Sequence, residues 1–167
     1  MHIAFTVALL SATSAVGAQQ PTKGPDCSIV RAALPIELAA WSQQMPVAAG
    51  TEAGGGAAIV PGRAVLASLH PARHLTLRPQ PKQAVANGGT LTLAIAEVGT
   101  YRVALGGKAW IDVVRGGAAV ASVAHGHGPA CTGVTKMVEF ILAPGTYTVQ
   151  LSGSEADSLA LLVAKVA

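Results

Sequence analysis

The feature that most limits the fold is a series of short segments after Gly62 in which apolar and polar residues alternate. In 90–96, Leu91, Leu93 and Ile95 occupy every second position, which is the period of a β-strand with one buried face. Many short strands with glycine turns between them predict an all-β sandwich. The predicted strands are 64–69, 74–77, 90–96, 100–105, 108–115, 118–124, 134–142, 146–151 and 158–166.

Two glycine pairs stand between neighbouring strands of this series. They are Gly106-Gly107 and Gly116-Gly117. Glycine readily adopts the positive φ angles of tight hairpin turns. The sequence therefore predicts two hairpins that make 100–124 a three-stranded meander.

An internal repeat indicates how the sandwich is built. GTYRVALGG at 99–107 is matched by GTYTVQLSG at 145–153, and each copy places Tyr, Val and Leu on one face. Before the second copy, Pro144-Gly145 suits positions i+1 and i+2 of a type II turn. Tyr101 and Tyr147 are then expected to be buried, with a hydroxyl bonded back to the chain, like the tyrosine corner of Greek-key proteins. The repeat predicts two equivalent corners of one jelly-roll or Greek-key-like sandwich.

One short helix is predicted before the sandwich. Leu38, Trp41 and Met45 follow helical spacing, Pro35 suits the first turn, and Pro46 ends the segment. The following segment contains three consecutive glycines and has no periodicity, so 48–58 is predicted to be a mobile, exposed loop.

The amino terminus has the pattern of a secretory signal. A short apolar run at 3–10 precedes Val16-Gly17-Ala18, whose small side chains suit signal peptidase. The run is too short to cross a bilayer, and no later segment is apolar enough to do so. The predicted organisation is a signal peptide at 1–18, an arm with helix and loop at 19–62, and a sandwich domain at 63–167. The mature protein is then secreted or periplasmic.

Two cysteines, Cys27 and Cys131, lie in the predicted mature part. An exported chain with an even number of cysteines most simply pairs them, because oxidising compartments preserve disulfides. The alternative is that Cys131 is a free thiolate that acts as a nucleophile or a metal ligand.

Charge excludes two classes of protein. Lys and Arg number 11 and Asp and Glu 8, which gives a net charge of +3 with only 11% charged residues, against about 25% in typical soluble domains. Nucleic-acid binding needs clustered basic residues, so it is not expected. A hydrophobic content of 51% with low net charge is the reverse of a disordered chain.

The segment 99–153 resembles the pre-peptidase C-terminal domains of secreted bacterial proteins, through GTYRVAL, WIDVVRGGAAVAS and LAPGTYTVQL. This resemblance implies a jelly-roll-like, non-catalytic module. With LPIELAAW and HGHGPACTGVTKMVEF included, the chain also resembles a group of short secreted bacterial proteins, some of which carry a homogentisate 1,2-dioxygenase label. That second resemblance implies Fe(II) held by two histidines and one carboxylate. His125-x-His127 matches the start of the cupin metal motif, but Cys131 and Thr132 occupy the expected carboxylate positions and the next acid is Glu139.

The stretch His125-Gly126-His127-Gly128 is the strongest candidate for chemistry. Histidines at i and i+2 of an extended segment project the same way, and the glycines let the backbone bend toward one metal. His70 and His74 form a second pair. If the two pairs converge, the site suits Cu(II), Zn(II) or Fe(II). The alternative is a turn-rich loop, fixed by the disulfide, whose histidines are hydrogen-bonded or solvated.

Other candidate groups have weaker patterns. Trp110 and Asp112 are expected on one strand face opposite Ile111 and Val113, where Trp110 is either a ligand contact or a core residue. A nucleophilic triad could draw on Ser122, His125 and Asp112, although no G-x-S-x-G elbow is present. Arg73, Arg78 and Lys82 form a mild basic cluster or a solubilising loop. Glu155 and Asp157 provide too few oxygen ligands for Ca²⁺.

Together these features predict an exported binding or envelope-accessory module that contacts its ligand through the HGHG loop. One alternative is a metal-dependent oxygenase with His125 and His127 as ligands, joined by His70, His74 or Glu139. A second alternative is a structural subunit that self-associates through its Ala- and Gly-rich strands.

Overall fold

The computed structural model describes residues 25–30, 32–81 and 86–166. The predicted signal peptide at 1–18 and Lys82 lie outside these residues. A 3₁₀ helix covers Ile36–Ser42, and a shorter one covers Ala72–His74. The strands are β1 (Met45–Ala48), β2 (Ala58–Ile59), β3 (Ala64–Ser68), β4 (His70–Pro71), β5 (Asn87–Ile95), β6 (Gly99–Leu105), β7 (Trp110–Arg115), β8 (Ala118–Ala119), β9 (Ser122–Gly126), β10 (Lys136–Leu142), β11 (Gly145–Ser154) and β12 (Ser158–Lys165).

The strands form two facing sheets. Sheet A has the order β1-β3-β12-β6-β10-β9, and sheet B has the order β2-β5-β11-β7-β8 with β4 beside β5. Two edge pairs, β1 with β3 and β2 with β5, are parallel, and the remaining pairs are antiparallel. From β5 to β7 and from β10 to β12 the chain alternates between the sheets, as in a jelly roll. The predicted all-β sandwich is confirmed, and it includes strands on both sides of Gly62.

The two copies of the sequence repeat form equivalent strands. The first copy is β6, in the interior of sheet A, and the second is β11, in the interior of sheet B. Their Tyr, Val and Leu side chains are buried in one core between the sheets. The hydroxyl of Tyr101 donates to the carbonyl of Glu97 at 2.9 Å, and that of Tyr147 donates to the carbonyl of Ala143 at 2.8 Å. Both corners therefore have the hydrogen bond that the sequence predicts.

The type II turn predicted at Pro144-Gly145 is not what shapes the second corner. Gly145 has a φ of +146°, whereas that position of a type II turn requires about +80°. The hydroxyl of Tyr147 instead accepts from the amide of Ala143 at 3.1 Å as well as donating to its carbonyl. Arg115 adds a hydrogen bond to the Tyr147 hydroxyl at 3.2 Å and one to the Pro144 carbonyl at 3.1 Å.

The predicted helix forms a second, smaller core on the outer face of sheet A. Leu38 and Trp41 are buried there against residues of β3, β6 and β12. The helix is of the 3₁₀ type and ends at Ser42, so the prediction that Met45 belongs to it is wrong: Met45 is exposed and begins β1. Arg102 of β6 fixes this helix by an ion pair with Glu37, and it also pairs with Glu139 of β10 at 2.6 Å.

The predicted meander at 100–124 is wrong. Gly116-Gly117, with φ angles of 57° and 80°, does turn β7 into β8. Gly106-Gly107 instead lies where the chain crosses from sheet A to sheet B, and Gly106 packs against Trp41. The predicted strand 118–124 is also divided, because β8 belongs to sheet B and β9 to sheet A.

Two further segments differ from prediction. The predicted strand 74–77 contains only an isolated bridge between Thr76 and Glu52. The glycine-rich segment 48–58 is not an exposed loop throughout, because Gly50 exchanges backbone hydrogen bonds with Thr90 and a Cβ on Gly56 would lie 1.7 Å from the Thr90 carbonyl oxygen. Its glycines are needed for this close approach to β5.

No helix in the described part of the chain is long and apolar enough to cross a bilayer.

Candidate functional site

Four segments meet at one end of the sandwich and enclose an open groove. They are the start of β7 with the two residues before it, the end of β9 with the residue after it, the start of β10 with the residue before it, and the end of β11 at Gly153. We call this the histidine groove. Its volume is about 400 Å³, within the range of small-molecule sites. The lining residues are Lys108, Ala109, Trp110, His125, Gly126, His127, Thr135, Lys136 and Gly153.

The strand register explains how His125 reaches the groove. In sheet A, His125 of the edge strand β9 lies directly opposite Val138 of β10. Residues directly opposite in an antiparallel pair project to the same face, and Val138 is buried between the sheets. His125 therefore projects from the side of sheet A that faces sheet B, while remaining exposed at the sheet edge.

His127 follows β9 and is held by the next strand. Its Nδ1 lies 3.2 Å from the carbonyl oxygen of Thr135. A carbonyl only accepts, so this contact places the ring proton of the neutral imidazole on Nδ1 and leaves the lone pair on Nε2. The predicted HGHG motif thus places both imidazoles at one groove.

Lys136 is a groove residue that the sequence reading missed. It shares the side of β10 that carries Val138, Phe140 and Leu142, all of which are buried in the main core. A lysine on the apolar side of a strand is the signal that could have identified it. Its Nζ donates to the carbonyl of Ala109 at 2.8 Å and lies 5.4 Å from the centre of the Trp110 ring. Burial lowers the pKa of Lys136, and the negative charge of Asp112 opposes that shift.

Trp110 and Asp112 lie on one face of β7, as predicted, while Ile111 and Val113 are buried in the core. Trp110 is half-buried and its Nε1 donates to Oδ1 of Asp112 at 3.1 Å. The Trp110 side chain therefore lines the groove and is held in place by its hydrogen bond to Asp112.

A buried glutamine completes the polar network behind the groove. Gln150 of β11 donates from Nε2 to Oδ2 of Asp112 at 3.5 Å and to the carbonyl of Pro79 at 2.9 Å. Its Oε1 accepts from the amide of Arg78 at 3.0 Å. The Asp112 carboxylate is thereby held by Trp110 and Gln150, which is not the arrangement of a triad with His125 and Ser122.

The second predicted histidine pair lies elsewhere. His70 is in β4, beside β5 of sheet B, and its Nε2 is 2.8 Å from the carbonyl oxygen of Ala49. His74 ends the short 3₁₀ helix Ala72–His74. Across residues 25–30, 32–81 and 86–166 there is no group of three or more His, Cys, Asp or Glu side chains that could hold a metal. The convergence of all four histidines on one metal is therefore not found, and Glu139 is paired with Arg102.

The predicted disulfide is confirmed. The sulfur atoms of Cys27 and Cys131 are 2.10 Å apart and the Cα atoms 5.1 Å apart. Neither cysteine is free, so Cys131 is not the thiolate of the alternative hypothesis. The bond joins the arm at 25–30 to the loop between β9 and β10, which leads from His127 to Lys136.

The remaining candidate groups do not assemble a site. Arg78 contributes its backbone amide to the contact with Gln150, Arg73 lies in the second 3₁₀ helix, and Lys82 is outside the described residues. Glu155 and Asp157 lie in the turn between β11 and β12, without the further ligands that a Ca²⁺ site would need.

Comparison with known proteins found no family model, no curated protein and no solved structure that matches this chain.

Proposed function

We propose that this protein is an exported, non-catalytic binding module and that the histidine groove is its ligand site. The observation that carries the proposal is the meeting of His125, His127, Trp110 and Lys136, from segments of both sheets, around one open volume of about 400 Å³. A groove of this size with a few fixed polar groups is typical of small-molecule recognition. The resemblance of 99–153 to pre-peptidase C-terminal domains points to the same class of module.

The disulfide supports the exported part of the proposal. A bond between Cys27 and Cys131 persists in secreted and periplasmic proteins and is rarely maintained in a reducing cytosol. Expression of the full chain in a bacterial host, followed by cell fractionation and amino-terminal sequencing, tests it. Export predicts a periplasmic or extracellular protein that begins after Ala18, whereas an unprocessed, reduced cytosolic protein would contradict it.

Ligand binding is tested by following backbone amide NMR signals of the oxidised protein during titration. The probes are inorganic phosphate, cyclohexanecarboxylate, cyclohexanecarboxamide, glucose and Zn²⁺. We expect at least one probe to shift the signals of Lys108, Trp110, His125 and Lys136 first. A separate groove beside Tyr101, lined also by Glu97 and Lys165, is a control region on the same molecule. Shifts confined to that region, or the absence of any shift, would contradict the proposal.

Metal binding through the same groove is the second candidate function. The specific observation is the contact between His127 Nδ1 and the Thr135 carbonyl, because ligating histidines commonly donate their second ring N–H to such an acceptor. Titration with Zn²⁺, Cu²⁺ or Fe²⁺ tests this candidate. It predicts stoichiometric binding that is lost in a His125→Ala, His127→Ala double variant and retained in His70→Ala. The oxygenase alternative requires the same result with Fe²⁺.

A further inference from the structure

We propose that the ligand of the histidine groove is a small organic oxyanion, a carboxylate or a phosphate monoester with an apolar body. The inference rests on the proposed function, since it identifies the ligand class of the same groove. It follows from the distribution of charge around the groove rather than from the histidines alone.

The groove contains cationic side chains without a matching carboxylate. The chain has 8 acidic residues, all of them in the described part, and none lines the groove. Most of them have other partners. Asp112, whose negative charge acts on Lys136 from outside the lining, accepts hydrogen bonds from Trp110 and Gln150. Glu37 and Glu139 bind Arg102, Glu97 binds Lys165, and Asp26 accepts from Ser28, while Glu52, Glu155 and Asp157 complete the set.

The two groove lysines remain available to a ligand. No carboxylate in the described part lies within 4.0 Å of the ammonium group of Lys108 or Lys136. Lys108 also borders a neighbouring groove that Glu155 lines, without an ion pair between the two. Lys136 is the more constrained of the two lysines. It uses one of its three N–H donors on the Ala109 carbonyl, which leaves two donors for an acceptor in the groove.

Partial burial makes Lys136 a favourable partner for an anion. Burial lowers the pKa of Lys136 because its charged form has lost part of its hydration. An oxyanion in contact with this ammonium restores the lost stabilisation through a charge-assisted hydrogen bond. Interactions between charges are also stronger in a partly desolvated groove than in open solvent.

The same charges disfavour a bare metal dication. Two ammonium groups line the groove together with the two imidazoles, and they repel a second positive charge. The groove offers only His125 and His127 as metal ligands, with no carboxylate to offset the repulsion. An anionic ligand is instead attracted by both ammonium groups.

The uncharged residues of the lining indicate which chemical group lies beside the oxyanion of the ligand. Ala109, Gly126 and Gly153 have no polar side-chain group, and the one donor of the Trp110 side chain binds Asp112. We therefore expect an apolar body beside the charged group, which is why a bare inorganic ion should bind more weakly than an organic acid.

Isothermal titration calorimetry on the oxidised protein tests the proposal with a matched pair of probes. Cyclohexanecarboxylate and cyclohexanecarboxamide have nearly the same shape and differ in charge. We expect the carboxylate to bind at least about tenfold more tightly than the amide. Cyclohexyl phosphate forms a third arm: if it binds more tightly than the carboxylate, the natural group is a phosphate monoester, and otherwise it is a carboxylate.

Variants assign the effect to the groove. Lys136→Met should weaken carboxylate binding by about tenfold, and Lys136→Arg should retain it within about threefold. Lys165→Met is the matched control, because Lys165 pairs with Glu97 beside Tyr101 and does not line the histidine groove. This variant should leave binding unchanged. Far-UV circular dichroism confirms that each variant is folded.

The outcomes separate this inference from the proposed function. Equal binding of carboxylate and amide, with groove signals shifting in both titrations, would overturn the oxyanion proposal and leave the binding function standing. Tighter binding of Zn²⁺ than of any anion would also overturn it in favour of the metal site. If no probe shifts the groove signals, both proposals fail.

Discussion

The two tyrosine corners allow the fold to be tested with an internal control. Tyr147→Phe removes a hydroxyl that donates to the Ala143 carbonyl and accepts from the Ala143 amide, at 2.8 and 3.1 Å. Tyr101→Phe removes a hydroxyl that donates to the Glu97 carbonyl at 2.9 Å. Both variants keep the buried ring, so the packing of the core is unchanged.

The expected losses of stability follow from the number of hydrogen bonds removed. A typical intramolecular hydrogen bond contributes about 1 kcal/mol net. Tyr147→Phe should therefore cost about 2 kcal/mol and Tyr101→Phe about 1 kcal/mol, since Arg115, which also bonds the Tyr147 hydroxyl, is exposed and can be hydrated instead. For a domain of this size these losses correspond to decreases in Tm of about 6 °C and about 3 °C.

Urea denaturation of the oxidised protein, followed by near-UV circular dichroism, measures both changes. The corners lie in different sheets, so the double variant should show the sum of the two losses. Equal losses in Tyr147→Phe and Tyr101→Phe, or a larger loss in Tyr101→Phe, would refute the reasoning.

Three further predictions concern packing, charge and pH. Gly56→Ala should destabilise the fold by about 3 kcal/mol or more, because its Cβ would lie 1.7 Å from a carbonyl oxygen. Gly126→Ala is the control, because a Cβ at this position meets no atom within 4 Å. It should change the free energy of unfolding by less than about 0.5 kcal/mol in the same denaturation assay. Arg102→Met should cost about 2 kcal/mol, because it leaves the half-buried carboxylates of Glu37 and Glu139 without the cation that pairs with both. A loss similar to that of Lys165→Met would contradict this reasoning. The pKa of Lys136 is lowered in the fold, so the partly buried ammonium group reduces the free energy of unfolding. This loss is fully present below the folded pKa and diminishes as the pH rises toward the ordinary value of 10.5. Urea denaturation between pH 8 and 10.5 should show this gain in stability in the native protein relative to Lys136→Met, and oxyanion binding should weaken over the same range.

Local patterns in the sequence were sufficient to predict most of the strands after Gly62 and the tyrosine hydrogen bond at each corner. The Tyr-Val-Leu repeat predicts two core strands because the period of two is fixed by the backbone itself. The two glycine pairs show that a local pattern does not determine which turn forms a hairpin. Gly116-Gly117 forms a hairpin, whereas Gly106-Gly107 crosses between the sheets, where Gly106 fits against Trp41 and Ala160. That difference depends on contacts between residues far apart in the chain.

The candidate site was predictable only in part, for the same reason. The pair His125 and His127 and the shared face of Trp110 and Asp112 follow from alternation along a strand. The position of Lys136 beside them depends on the crossing from sheet A to sheet B that brings the start of β7 opposite the start of β10. The predicted convergence with His70 is not found, because β4 pairs with β5, which β11 separates from β7 in sheet B.

The electrostatic potential of the histidine groove is the property that the functional account depends on most directly. It can be measured without knowledge of the ligand, by comparing the relaxation of amide protons caused by an anionic and by a cationic nitroxide added to the solvent. We predict stronger relaxation by the anionic probe at Lys108, Trp110, His125 and Lys136, and a smaller difference around Glu97, where Lys165 is paired. Equal relaxation by the two probes at the groove, or stronger relaxation by the cationic probe, would contradict the account.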